Sequence, residues 1–168
     1  LALKRLMVVD VVTLAGLYTL RIVAGGLAID APISFWLLAL SMFSFCSLAM
    51  AKRYAELHRL SGAGDDAPAR GRGYFTSDLP MLATLGAASG YIAVMVLALY
   101  VNDGRTAQMY RHPQLIWLAC PLLLTWMSRV WMLAGRGQMN EDPIIFAVRD
   151  RASQIIGALC AVVFLAAA

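Results

Sequence analysis

Five long apolar stretches divide the sequence and constrain its fold more than any other feature. They cover residues 6–28, 33–51, 79–100, 113–133 and 144–167. Each is close to the ~20 residues that an α-helix needs to cross the hydrocarbon core of a bilayer. Of the 168 residues, 61% are hydrophobic and 14% are charged, whereas soluble domains carry about 25% charged residues. The sequence therefore predicts an all-α, polytopic transmembrane helix bundle with five spans.

Basic residues are concentrated in the connections on one side of these spans. The connection at 52–78 carries Lys52, Arg53, Arg59, Arg70 and Arg72. The connection at 134–143 carries a further arginine. Because short loops rich in lysine and arginine stay in the cytoplasm, we expect the N-terminal end and both connections to be cytoplasmic. An odd number of spans then places the C-terminus outside.

Two ionisable residues, Asp10 and Arg21, lie inside the first span. A charge at the centre of a bilayer costs about 2.5–3.5 kcal/mol on insertion scales, so such a residue faces protein, water or a partner. The two residues are eleven positions apart, which places them within about 20° of each other around a helix. The spacing predicts one polar stripe that includes Thr13 and Leu17. The charged residues of this stripe either form interhelical salt bridges or line a polar cavity open to the cytoplasm.

The stretch KRYAEL follows the second span with its charges at helical spacing. Lys52 and Arg53 lie four and three residues before Glu56, so the three side chains share one side of a helix that continues past the span. Cations at this position also suit the dipole at a helix C-terminus. The pattern therefore has two interpretations, the end of a membrane span or one wall of a site for an anionic ligand.

A third group of charges surrounds the start of the last span. Asp142 precedes Pro143, which is typical of an N-cap followed by the first residue of a helix. Asp150 and Arg151 come two turns later, and Arg129 adds a cation to the fourth span. Three separated segments are thus predicted to bring charges of both signs to the cytoplasmic face.

Guanidinium and ammonium groups on this face are suited to a phosphate or diphosphate, which arginine binds bidentately and lysine binds as a point charge. Apolar helices beside them offer a lipid tail a place to lie. The pattern favours an enzyme that joins a phosphorylated, water-soluble group to a lipid. A transporter or a structural membrane subunit stays an alternative, since ion-coupled transporters also bury charges.

Three segments carry a resemblance to a known family: LKRLMVVDVVTLAGLYTLRIVAGGLA (3–28), SFWLLALSMFSFCSLAMAKRYAEL (34–57) and EDPIIFAVRDRAS (141–153). Together they resemble the UbiA superfamily of intramembrane prenyltransferases, and within it the decaprenyl-phosphate phosphoribosyltransferase branch. The resemblance implies a nine-helix fold around a cavity that opens to the cytoplasm. This chain is then expected to be the C-terminal part, equivalent to helices five to nine.

The resemblance and the charge pattern together imply a set of site residues. Catalytic roles are expected for Lys52, Glu56 and Asp10. Contacts with the substrates are expected from Lys4, Arg21, Arg53, Tyr54, Arg129, Asp150 and Arg151.

The family's first acidic motif, Asn-Asp-x-x-Asp-x-x-x-Asp, implies Mg²⁺ bound against a diphosphate. The only Asn-Asp pair here is Asn102–Asp103, which lacks the later acids, so the metal ligands are expected before Leu1 and none is identified in this chain. The second Asp-rich motif of the aromatic prenyltransferases is not reproduced by Glu56, Asp65 and Asp66. That departure favours the phosphoribosyl branch.

The resemblance implies a transferase that moves a phosphoribosyl group from phosphoribosyl pyrophosphate to a polyprenyl phosphate. The alternative is transfer of a prenyl group from a prenyl diphosphate to an aromatic or other acceptor. The implied partners are the lipid substrate, a phosphorylated water-soluble donor and membrane lipid, with no nucleic acid. The implied location is the inner (plasma) membrane of a bacterium. His58 and His112 are expected to be surface residues in loops.

Overall fold

The structure is a computed structural model that describes residues 8–31, 33–61, 73–139 and 142–168, without the side chains of residues 105–107 and 144. Lys4, Asp65 and Asp66 lie outside the described residues. Throughout the described ranges the chain forms α-helices and short 3₁₀ helices and no β-strand. The prediction of an all-α fold is confirmed.

Seven α-helices follow one another along the described chain. They are α1 (Val9–Ala28), α2 (Phe35–Ser61), α3 (Leu79–Val101), α4 (Gly104–Met109), α5 (Ala119–Gly135), α6 (Pro143–Arg149) and α7 (Arg151–Ala167). Two 3₁₀ helices, Thr76–Asp78 and Pro113–Leu118, lead into α3 and α5.

Among the described residues, four helical segments are long and apolar enough to cross a membrane: Val9–Ala28, Phe35–Ser61, Thr76–Val101 and Pro113–Gly135. The predicted fifth span at 144–167 is divided instead of continuous. Asp150 has an extended backbone (ψ 121°), and its side chain accepts a hydrogen bond from the backbone N–H of Ser153. α6 therefore ends before Asp150, and α7 begins after it with 17 residues, at the lower limit of about 17–25 residues for a spanning helix.

The second helix continues well beyond the apolar run that precedes it. α2 reaches Ser61 and so includes the whole KRYAEL stretch, because no glycine or proline interrupts a segment rich in strong helix formers. The expectation that His58 lies in a loop is wrong. Its ring is part of α2 and stacks on Tyr54 with 5.8 Å between the ring centroids.

α2 packs against α1, α3 and α5, and its contact with α3 is very close at Gly86. The Ser47 hydroxyl donates to the Gly86 carbonyl (2.7 Å), and the Trp131 indole N–H of α5 donates to the Ser47 oxygen (3.0 Å). A Cβ placed on Gly86 would lie 2.1 Å from the Trp131 ring. Glycine at this position therefore lets three helices meet, as small residues do in membrane bundles.

The helices bring the charged residues of separate segments to one end of the bundle, which we call the charged end. It consists of the starts of α1, α3, α6 and α7 and the ends of α2 and α5. At the opposite end, the backbone N–H of His112 donates to the carbonyl of Ala167 (3.1 Å). The cytoplasmic location of the charged end remains a prediction.

Candidate functional site

Asp10 is the centre of a buried cluster at the charged end. Its side chain is 5% exposed, and it accepts hydrogen bonds from Arg53 Nε to Oδ2 (2.8 Å) and from the Tyr74 hydroxyl to Oδ1 (2.7 Å). Three segments that are far apart in the sequence therefore meet at one carboxylate. A buried carboxylate requires such partners, because an unpaired charge in the interior costs far more than a paired one.

The two cations of the KRYAEL stretch contact different acidic side chains. Arg53 Nη1 donates to Glu56 Oε2 (2.9 Å), as expected for residues three apart on a helix. Lys52 forms a salt bridge with Asp142, the residue before α6. The side chain of Arg53 is 10% exposed and that of Lys52 is 35% exposed. Lys52 is thus the more accessible of the two cations.

Arg129 and Asp150 form a third ionic contact, between α5 and the start of α7. Both guanidinium ends donate to the carboxylate, from Nη1 to Oδ2 (2.6 Å) and from Nη2 to Oδ1 (3.0 Å). The backbone N–H and the hydroxyl of Ser153 also donate to Oδ2 (2.8 Å each). Burial raises the pKa of Asp150, but the hydrogen bonds from Arg129 and Ser153 outweigh it and hold the pKa below its usual value.

The other predicted site residues lie apart from these contacts. Arg21 is exposed, and its guanidinium lies 5.2 Å from the centre of the Tyr18 ring. Arg151 is exposed at the first position of α7. The Tyr54 ring meets the Trp131 ring edge-on at 6.0 Å. Asp10 and Arg21 lie on the same side of α1, but only Asp10 is buried, whereas Thr13, Leu17 and Arg21 are exposed.

A narrow cleft borders Lys52 and Asp142. Its other walls are apolar or aromatic: Leu14, Tyr18, Phe45, Leu48, Ala49 and Pro143. The cavity volume is about 10 Å³, which is roughly the space that one water needs. The cleft therefore combines a charged pair with apolar walls, but it is too small for a headgroup in this structure.

Two larger cavities lie away from the cleft. One of about 240 Å³ at the opposite end of the bundle is lined by Trp36, Tyr100, Tyr110 and Phe164, among others. The second, of about 300 Å³, lies between α5 and α7. Both are mainly apolar, so their size alone does not make either of them the place where a phosphate would bind.

The described residues do not form a site for Mg²⁺. Within the ranges that the structure describes, no three His, Cys, Asp or Glu side chains come together. Asp10, Asp142 and Asp150 each bind a lysine or arginine side chain instead. A metal ion at any of these carboxylates would have to compete with a cationic side chain that is already bound there.

Sequence reasoning missed Tyr74 and Ser153 as members of these clusters. Tyr74 is 2% exposed and contacts residues 64 and 66 positions away. No local periodicity indicates a contact at such a separation. The contact between Ser153 and Asp150 could have been predicted, since an acid followed three residues later by a serine is compatible with an N-cap and a return hydrogen bond.

Comparison with known proteins finds relatives over nearly the whole chain. The chain is 38% identical over 165 residues to nodulation protein NoeC of Azorhizobium caulinodans, which covers 94% of the chain and 52% of that protein. It is 36% identical over 166 residues to the uncharacterised protein y4nM of Sinorhizobium fredii, covering 98% of the chain and 32% of that protein.

A third relative has a named activity. The chain is 27% identical over 155 residues to decaprenyl-phosphate phosphoribosyltransferase of Mycobacterium tuberculosis, covering 92% of the chain and 48% of that protein. The chain spans about half the length, or less, of these curated relatives. No protein-family model and no solved structure matches it.

Proposed function

We propose that this chain belongs to an intramembrane transferase that moves a phosphoribosyl group from phosphoribosyl pyrophosphate to a polyprenyl phosphate. The observation that carries the proposal is the position of Lys52. Together with Asp142 it lines a cleft whose other walls are apolar and aromatic side chains of α1, α2 and α6. A lipid that ends in a phosphate needs the same two environments side by side. The relative named decaprenyl-phosphate phosphoribosyltransferase supports this choice of chemistry.

The reaction exchanges one oxygen for another at the anomeric carbon of the ribose. The bond between that carbon and the pyrophosphate oxygen breaks, and a phosphate oxygen of the lipid forms the new bond, so pyrophosphate leaves with the bonding electron pair. Negative charge accumulates on the leaving group as the bond breaks. A fixed cation such as Lys52 stabilises that charge, which is usually the largest contribution to catalysis of this kind.

Arg53 and Asp10 have supporting roles in this proposal. Arg53 is held by two carboxylates and is nearly buried. We therefore propose that its contact with Asp10 fixes the position of α2 near Lys52 relative to α1. The cleft is too small for a lipid phosphate, so substrate binding requires either that the helices move apart or that further segments form a larger cavity beside it. Since the matched relatives are about twice as long or longer, we propose that a full-length protein supplies the rest of the cavity.

The donor decides between this proposal and prenyl transfer. Membranes that contain the full-length protein are incubated with labelled phosphoribosyl pyrophosphate and a polyprenyl phosphate, and the lipid fraction is analysed. We expect a labelled phosphoribosyl lipid and an equal amount of pyrophosphate. Membranes without the protein are the control. Product formation only from a prenyl diphosphate and an aromatic acid, or from neither donor, would contradict the proposal.

A further inference from the structure

Tyr74 holds two groups at the start of α1 through one hydroxyl. The hydroxyl donates to Asp10 Oδ1 (2.7 Å) and accepts from the backbone N–H of Val8 (2.7 Å). The side chain is 2% exposed and packs with Leu57 and Leu82. Because the ring is fixed by apolar neighbours on α2 and α3, the hydroxyl has a defined position relative to both helices.

The backbone at the other end of this contact is strained. Val8 has φ 67° and ψ −38°, a conformation that a β-branched residue rarely adopts. Strained residues persist where their surroundings impose the conformation, and they concentrate at functional sites. Here the hydrogen bond from Val8 to Tyr74 is one such restraint, and it lies two residues before Asp10.

The hydroxyl also influences the cation beside it. Asp10 uses Oδ1 for Tyr74 and Oδ2 for Arg53 Nε. The direction of the carboxylate, and through it that of Arg53, is therefore set by the tyrosine. Burial and the hydrogen bond to Asp10 raise the pKa of Tyr74 to about 12, so the hydroxyl keeps its proton at neutral pH and acts as the donor.

We propose that Tyr74 is a positioning residue of the transferase site, which acts through Asp10 to fix Arg53 at the end of α2. The inference rests on the proposed function for its effect on turnover. The contact between Tyr74 and Asp10 is testable without turnover. The hydrogen bonds from Tyr74 to Asp10 and from Arg53 to Asp10 connect the segment before α3 to α2, the helix that carries Lys52.

The first test is a double-mutant cycle on the full-length protein with phosphoribosyl pyrophosphate as the donor. Since Tyr74→Phe removes a hydrogen bond to the charged Asp10 that orients Arg53, we expect it to lower kcat/KM by about tenfold to a hundredfold. In an Asp10→Asn background the same change is expected to lower kcat/KM less than about twofold. Tyr91→Phe is the matched control, because Tyr91 pairs with Ser128 away from the charged end, and it should retain wild-type kcat/KM.

Two results of this cycle would overturn the inference. One is wild-type kcat/KM in Tyr74→Phe. The other is an equal loss in both backgrounds, which would mean that Tyr74 supports the fold without acting through Asp10.

The second test needs no substrate and also decides the case in which Asp10→Asn is inactive. The ultraviolet absorbance of the tyrosines is titrated in detergent, and the Tyr74→Phe protein is subtracted to isolate Tyr74. We expect a midpoint near 12 that moves toward 10 in Asp10→Asn. An unchanged midpoint would overturn the Tyr74 inference and leave the proposed function untouched, whereas failure of the transfer assay with a shifted midpoint would reject the proposed function alone.

Discussion

At the scale of single residues, the charged end is a set of matched pairs. Asp10, Asp142 and Asp150 each meet a cation from another segment. The pairs differ in exposure: Arg53 is nearly buried, whereas about a third of Lys52 and of Arg129 is exposed. Exposed pairs contribute little to stability, and removing one partner of a buried pair is costly. Accessibility therefore separates the cations suited to a ligand from those that hold helices together.

The contact between Arg129 and Asp150 gives a prediction about pH. Asparagine caps a helix about as well as aspartate, so Asp150→Asn removes the charge and keeps the cap. We expect it to lower the free energy of unfolding at pH 7 by about 1–2 kcal/mol, a value between those of exposed and buried pairs. The measurement is reversible unfolding in detergent micelles.

The difference in the free energy of unfolding between wild type and Asp150→Asn should become smaller as the pH falls. Because the pKa of Asp150 is lowered in the folded protein, its contribution is fully present above the unfolded pKa of about 3.9. It is lost as the pH falls through the folded pKa. Asp103→Asn in the loop after α3 is the control and should change stability by less than about 0.5 kcal/mol. A difference that grows in acid would contradict the assignment.

At the scale of helices, small residues decide how closely the elements approach. Gly86 and Gly90 lie one turn apart on α3, and a Cβ on either would meet side chains of α2 and α5 at 3.3 Å or less. Ser47 joins the three helices by hydrogen bonds to Gly86 and from Trp131. Without a hydrophobic driving force between helices in lipid, such contacts and close packing hold the bundle together.

Gly86→Ala tests this packing. The added methyl group would overlap the Trp131 ring, and overpacking of this kind costs typically about 1–3 kcal/mol. We expect that loss in the free energy of unfolding in detergent. Gly16→Ala on α1 is the matched control, since its Cβ would meet nothing within 4 Å, and it should be neutral or slightly stabilising. Equal stability of the two variants would show that the three helices do not meet as described.

Helix positions were predictable because apolar runs of about 20 residues have one main explanation in a membrane protein. The division at Asp150 was not predicted, since hydropathy averages over the single extended residue that caps α7. The pairing of charges was partly predictable. Arg53 and Glu56 follow from helical spacing. The contacts of Asp10 with Tyr74 and of Lys52 with Asp142 depend on how distant helices pack, and a single sequence carries no signal for that.

At the scale of the whole molecule, the bundle has two chemically different ends. One gathers ionic pairs beside a closed cleft, and the other has an aromatic-lined cavity of about 240 Å³. Only the first end combines a partly exposed ammonium group, that of Lys52, with apolar walls, which is the combination that the proposed lipid phosphate requires. Lys52 is the central cation of the proposed transferase activity because it lines the cleft, whereas Arg129, which is equally exposed, does not.

The most direct test compares variants of the two partners in one salt bridge, measured as kcat/KM for phosphoribosyl pyrophosphate with the full-length protein in membranes. Removing the cation with Lys52→Ala should lower kcat/KM by about a hundredfold or more, as the loss of a group that stabilises developing charge does. Asp142→Asn breaks the same salt bridge but keeps Lys52, so a loss below about tenfold is expected.

Arg136→Ala, an exposed cation after α5, is the control for charge at the same end, and it should keep wild-type kcat/KM. Membrane insertion of all three variants is checked by their yield in the membrane fraction. The proposal predicts a large loss only in Lys52→Ala. Wild-type kcat/KM in Lys52→Ala, or an equal loss in Asp142→Asn, would contradict it.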